Sequence, residues 1–141
     1  MFKLKVERLT PTAKIPTRGH YNDAGLDLYA DETTTIKPGE HKYIKTSIKM
    51  AIPDGYVGLL WDKGGMGEKG LHILGGVYDS GYRGEIRANL VNLGTNEAKI
   101  EQGQKVTQIL IQSVSLCEIE ETKINDQTAR GDGRHGSTGI Y

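Results

Sequence analysis

GVYDSGYRGE, residues 76–85, sets one aspartate and two tyrosines among three glycines. Gly76, Val77 and Tyr78 lead in as strand, and Ser80 and Gly81 follow Asp79 as turn residues. Beyond Gly84, apolar Ile86, Ala88 and Leu90 alternate with Arg87 and Asn89. This pattern predicts a β-hairpin. A carboxylate at a hairpin tip is held by the sheet yet open to a ligand. Asp79 is therefore a candidate functional residue, while the same Asp-Ser-Gly run also suits a plain surface turn.

Upstream, Phe2, Leu4 and Val6 alternate with charged residues and predict a half-buried strand. In AGLDLYA, residues 24–30, alternation points Asp27 away from Leu26 and Leu28, which also suits a solvated strand Asp. Thr33–Ile36 forms a β-branched run, and Ile44, Thr46 and Ile48 alternate with Lys45, Ser47 and Lys49 as one strand. YVGLLW, residues 56–61, reads as an apolar strand whose Trp61 belongs in the core or at an interface. DKGGMGEKG, residues 62–70, carries four glycines and suits neither helix interior nor strand. It lacks the spacing and hydroxyl of a P-loop. Its exposed backbone N–H groups, with Lys63 and Lys69, remain able to cradle an anion.

Downstream, Gln104–Val114 is dense in β-branched residues, with Gln108 as an inward polar candidate, and Ser115–Thr122 alternates as a further strand. The final NDQTARGDGRHGSTGIY has the composition of a flexible tail, yet gathers Arg130, Arg134, His135, Ser137 and Thr138 among glycines. That is anion-binding chemistry on a pliable backbone. Turn signals recur every 8–12 residues without helical periodicity, which predicts an all-β sandwich or barrel of jelly-roll type.

The 141 residues suffice for one domain with a real core. Lys plus Arg equals Asp plus Glu at 18 each, so the chain lacks the basic excess of a general nucleic-acid or membrane-surface binder. A hydrophobic share of 36% is low for a lone domain and suits a sheet-rich fold or an oligomer that shares its cores. A single cysteine excludes an internal disulfide and fits a reducing cytoplasm, and the apolar alternation around Cys117 predicts a buried thiol. The N-terminus has no signal-peptide core, and no stretch approaches transmembrane length.

Five separated stretches are together similar to the trimeric dUTP pyrophosphatases (dUTPases) over almost the whole chain. AGLDLYA (24–30), DKGGMGEKGL (62–71), GVYDSGYRGEI (76–86), GQKVTQILI (103–111) and RGDGRHGSTG (130–139) stand in the order of that family's five motifs. The resemblance implies a jelly-roll, β-clip subunit in a three-fold trimer. Residues 1–123 would form the β domain, and 124–141 a Gly-rich arm that closes over an active site between subunits. It implies Mg²⁺-dependent hydrolysis of dUTP to dUMP and pyrophosphate, which limits uracil in DNA and supplies dUMP for dTMP synthesis. Residue by residue, it makes Asp79 the base that activates water and Tyr82 the aromatic packed on deoxyribose. Gly75 and Gly76 let main-chain groups approach uracil. Asp27 touches the metal through water. Lys63, Gly64, Gly65 and Gln108 face the phosphates. Arg130, Gly136, Ser137 and Thr138 wrap the γ-phosphate, and His135 covers uracil.

Two positions depart from the family pattern. Gly64 stands where the family has a phosphate-binding Ser, and His135 where it usually has Phe. The first keeps a second reading open, a nucleotide-binding regulatory protein with weakened catalysis. A dCTP deaminase, which shares the fold, is a third, although that family has a longer chain without this tail motif.

Overall fold

A computed structural model describes residues 2–125, 127–134, 136, 138 and 139. The expected all-β chain is what they form. In chain order they are β1 (Lys5–Arg8), β2 (Leu26–Tyr29), β3 (Thr34–Ile36), β4 (His41–Ile44), β5 (Ile48–Ala51), β6 (Tyr56–Trp61), α1 (Gly64–Gly67), β7 (Leu71–Ile73), β8 (Val77–Tyr78), β9 (Ala88–Asn92), β10 (Ala98–Ile100) and β11 (Lys105–Ser113). All ladders are antiparallel: β1–β5, β3–β10, β2–β11–β6–β8 and β4–β9–β7. One helical turn stands where the glycines of 62–70 predict a loop. Met66 is its buried anchor.

The sheets close over one apolar core in which Leu28, Ile36, Ile44, Ile48, Ile86, Leu90, Val106 and Ile109 are fully buried. Burying such side chains contributes about 1.5–3 kcal/mol each, and this drives the sheets together. Asn92 is the polar member of that core. Its amide donates to the carbonyls of Ile36 and Asn96, and its side-chain oxygen accepts from the Gly94 N–H. An unpartnered amide there would cost several kcal/mol, and among the described residues no buried side-chain polar atom lacks a partner.

Four local expectations are corrected. The hairpin does not pair β8 with β9. β8 joins β6 in one sheet, while β9 joins β7 and β4 in another, so residues 74–87 are an excursion between sheets. The Tyr78 hydroxyl explains this: it donates to the Arg87 carbonyl and accepts from the Arg87 N–H, replacing a backbone rung. The 44–49 strand breaks at Ser47, whose φ of 53° no β-ladder accommodates. Its N–H goes instead to the Glu85 carboxylate at 2.8 Å. Ser115–Thr122 forms no strand, because within one chain its backbone has no neighbouring ladder, and Leu116 and Ile119 stay 86% and 96% exposed. Cys117 on that segment is exposed for the same reason. Trp61 is 56% exposed, which leaves the interface half of its reading and removes the core half.

Candidate active site

One half of the site grows from the β2–β11–β6 sheet. The register sets Asp27 opposite Gln108, and Gln108 opposite Trp61. Lys105 and Gln108 are three residues apart and would face opposite sides of a regular strand. A bulge between Lys105 and Thr107 corrects the parity, so both lie on the Asp27 side. Asp27 is 4% exposed. One oxygen accepts from Lys63 Nζ at 2.6 Å, and the other meets Lys105 Nζ at 2.7 Å. Burial alone would push this carboxyl up. Hydrogen bonds from Lys105 and Lys63 outweigh it and hold Asp27 ionised below its ordinary range. The reading of Asp27 as a solvated strand residue therefore fails, and Lys105 is a partner that the alternation pattern concealed. Gln108 lies over Gly25, where an added Cβ would collide with its side-chain oxygen, and its amide donates to the Asp62 carbonyl at 2.8 Å. These groups line an open cleft of about 640 Å³.

The loop after β6 brings Lys63 into the lining of this cleft, and Gly64 and Gly65 follow it without lining the cleft themselves. The Lys63 carbonyl accepts from the N–H groups of Met66 and Gly67, both at 2.9 Å, which turns the backbone over at once. A Cβ on Gly64 or Gly65 would meet nothing within 4 Å. Their side-chain directions are thus open to a ligand. At the loop's neck the Asp62 carboxylate accepts from the Ile73 N–H at 2.8 Å and meets His72 Nδ1 at 2.7 Å. Neither Asp62 nor His72 stands out in the sequence.

The other half is the 74–87 excursion. Gly75 adopts φ 61°, which favours glycine, and a Cβ on Gly76 would sit 2.8 Å from the Leu60 carbonyl oxygen. The Leu60 N–H in turn donates to the Gly76 carbonyl at 2.8 Å, fixing the entry of the excursion. Tyr82 folds back over Gly84, donates to the Glu85 carbonyl at 3.1 Å, and tilts its ring 59° against Tyr78 at 5.5 Å. Asp79 and Tyr82 share a pocket of about 200 Å³ with Gly75, Tyr43, Glu85 and Arg87. Asp79 is exposed there, and the Tyr82 N–H donates to its carbonyl at 3.1 Å.

The two pockets have no lining residue in common. Asp27, Lys63, Lys105 and Gln108 are brought together, as are Asp79, Gly75 and Tyr82, but the two groups occupy separate pockets of one chain. Arg130 stands apart from both, its Nε donating to the Gly133 carbonyl at 3.0 Å within a turn of the tail. Gly136 and Thr138 are exposed turn residues. His135 and Ser137 lie outside the described residues.

The chain resembles known proteins along its length. The family model described as dUTPase matches residues 11–139. A deoxyuridine 5'-triphosphate nucleotidohydrolase of Corynebacterium jeikeium is 40% identical, covering 97% of this chain and 93% of that protein. One of Mycobacterium leprae is 41% identical, covering 96% and 94%. Among solved structures, the Staphylococcus bacteriophage 80alpha dUTPase with dUPNHPP superposes with a TM-score of 0.92 at 28% identity over 99% of this chain and 100% of that one. A point mutant of the dUTPase from phage phi11 of S. aureus, described with a structural Mg(II) ion, gives 0.82 at 29% identity over 87% and 98%. These likenesses give the β-strands their architecture, the β-clip jelly roll of the neighbouring dUTPase structures. The chain belongs to the dUTPase family.

Proposed function

We propose that this protein hydrolyses dUTP to dUMP and pyrophosphate, with the active site completed by other copies of the same chain. The single observation that carries the reading is the match of the dUTPase family over residues 11–139 with a carboxylate and an aromatic, Asp79 and Tyr82, in one small pocket. Separation of the two pockets favours assembly between subunits. So do the exposed apolar side chains of Leu116, Ile119 and Ile124, which a neighbouring subunit would cover.

In this reading the 74–87 excursion takes the nucleoside. Gly75 and Gly76 let backbone groups reach the uracil edge, and Tyr82 packs against the deoxyribose, leaving no room for a 2′-hydroxyl. Asp79 accepts a proton from water as the water oxygen bonds to the α-phosphorus. The bond from that phosphorus to the bridging oxygen breaks, and pyrophosphate leaves with the electron pair. A positioned general base of this kind contributes about 10²–10⁴-fold.

The second pocket takes the triphosphate. Lys63, Gly64, Gly65 and Gln108 face its oxygens, and on binding Lys63 exchanges the Asp27 carboxylate for phosphate while Lys105 keeps Asp27 ionised. The donor set suits a Mg²⁺ that travels with the triphosphate. Asp27 is a buried carboxylate beside the cleft, and the described residues hold no cluster of three or more acidic, His or Cys ligands, so Asp27 would act through water. Bound there, Mg²⁺ would supply neutralisation of phosphate charge. The arm, residues 124–141, closes over the site, with Arg130 forming a bidentate pair to the γ-phosphate and Gly136, Ser137 and Thr138 wrapping it. His135 stacks over uracil. A cytoplasmic setting fits the lone, reduced Cys117.

The test is pyrophosphate release from dUTP with Mg²⁺, measured beside dCTP, dTTP and UTP. Turnover confined to dUTP supports the proposal. Tight dUTP binding without turnover would favour the regulatory reading that Gly64 suggests, and deamination of dCTP would overturn both.

A further inference from the structure

β6 and β7 belong to different sheets, and the loop between them carries glycines at 64, 65, 67 and 70. Such a segment is intrinsically loose. Met66 fixes its middle by burial, while a Cβ on Gly64 or Gly65 would meet nothing within 4 Å. Its two ends meet at Asp62. One carboxylate oxygen accepts from the Ile73 N–H at 2.8 Å, across the loop's exit. The other meets His72 Nδ1 at 2.7 Å. The Asp62 carbonyl accepts from Gln108 Nε2 at 2.8 Å, which ties the same residue to the floor of the Asp27 cleft. Asp62 is thus bonded to the loop's exit and to the cleft, and it directly precedes Lys63.

We propose that Asp62, braced by His72, is a positioning residue that holds Lys63, Gly64 and Gly65 in register with the triphosphate. It acts through the neck of the loop and touches no reacting atom. In a chain whose loop has no Ser hydroxyl to anchor itself on the phosphates, this clamp is what keeps the backbone pre-set. The inference rests on the dUTP-hydrolysing reading, and its test separates the two.

The experiment compares the native chain with D62A, D62N and H72A. It measures kcat and KM for dUTP with Mg²⁺, and amide hydrogen exchange over residues 63–71 of the free protein. D62A should lose about ten- to a hundredfold in kcat/KM, with the larger share in kcat, as expected when a reacting group is misplaced by a fraction of an ångström. Exchange over 63–71 should accelerate while β9 and β11 stay protected. D62N keeps an oxygen able to accept from the Ile73 N–H and should recover most of the rate. H72A removes only a half-exposed brace, so the fold survives, and it must show the same pattern at smaller size. Unchanged kinetics in D62A and H72A, or lost activity without faster exchange in 63–71, would overturn the clamp. Failure of D62N to recover would do the same. If the native chain does not turn dUTP over, the functional reading falls, and exchange alone judges the clamp: unchanged exchange in D62A and H72A refutes it.

Discussion

Restoring a hydroxyl at Gly64 should raise the rate of dUTP hydrolysis. The position can take it, because a Cβ built there meets no heavy atom within 4 Å. The backbone needs no change either, since Gly64 is absent from the residues of positive φ and begins a helical turn. A serine adds one hydrogen bond to a charged phosphate oxygen, worth about 1.5–3 kcal/mol where the acceptor is ionised. If that bond strengthens as charge moves onto the pyrophosphate, it lowers the barrier and gains about one to two decades in kcat. If it is equally strong in the bound substrate, KM falls and kcat stays. Steady-state pyrophosphate release by Gly64→Ser, with kcat and KM resolved, distinguishes these. The expected result is a rise in kcat of about tenfold or more with the fold intact. A folded variant with no gain in either constant would refute the placement of this loop on the phosphates.

Gly25→Ala should displace Gln108, whose side-chain oxygen stands where the added carbon would go, and so weaken phosphate binding; a rise in the KM for dUTP with an unchanged circular dichroism spectrum checks this. Acid should destabilise the fold through Asp27 and Asp31. Burial would raise the Asp31 carboxyl, yet hydrogen bonds from Thr10, Ser47, Thr12 and Gln102 hold it far below its ordinary value. Because both folded values are depressed, their stabilisation is fully present above the unfolded value of about 3.9 and is lost as pH falls below it. Urea unfolding followed from pH 6 downward should therefore show a steeper loss in the native chain than in Asp31→Asn. The exposed Leu116, Ile119 and Ile124 should be covered in solution, so sedimentation should give a trimer, and a stable monomer would contradict the shared site.

Alternation of apolar and polar residues is enough to read β2, and apolar or β-branched runs are enough for β6 and β11, because each has buried residues that the pattern records. It failed where side chains replace backbone pairing. Tyr78 bridges to Arg87 through its hydroxyl, so 76–90 resembles a hairpin in sequence while its arms join different sheets. Ser47 takes a left-handed φ that no glycine announces. Ser115–Thr122 has a strand's pattern but, within one chain, no ladder to join, and Cys117 is exposed with it. At the site, the roles proposed for Asp79, Tyr82, Lys63 and Gln108 come from the family motifs rather than from residue chemistry. Lys105 was hidden by a bulge that inverts its face. Asp62 and His72 were hidden because their side-chain bonds join two ends of a loop, a relation that linear spacing does not express.

Hydrolysis of dUTP in H₂¹⁸O by the native chain and by Asp79→Asn tests the central claim most directly. Turnover by the native chain is expected, with the label in the phosphate of dUMP and none in pyrophosphate. A loss of at least about a hundredfold is expected on replacing Asp79, with assembly unchanged. Label in pyrophosphate, or an Asp79→Asn chain as fast as the native one, would contradict it.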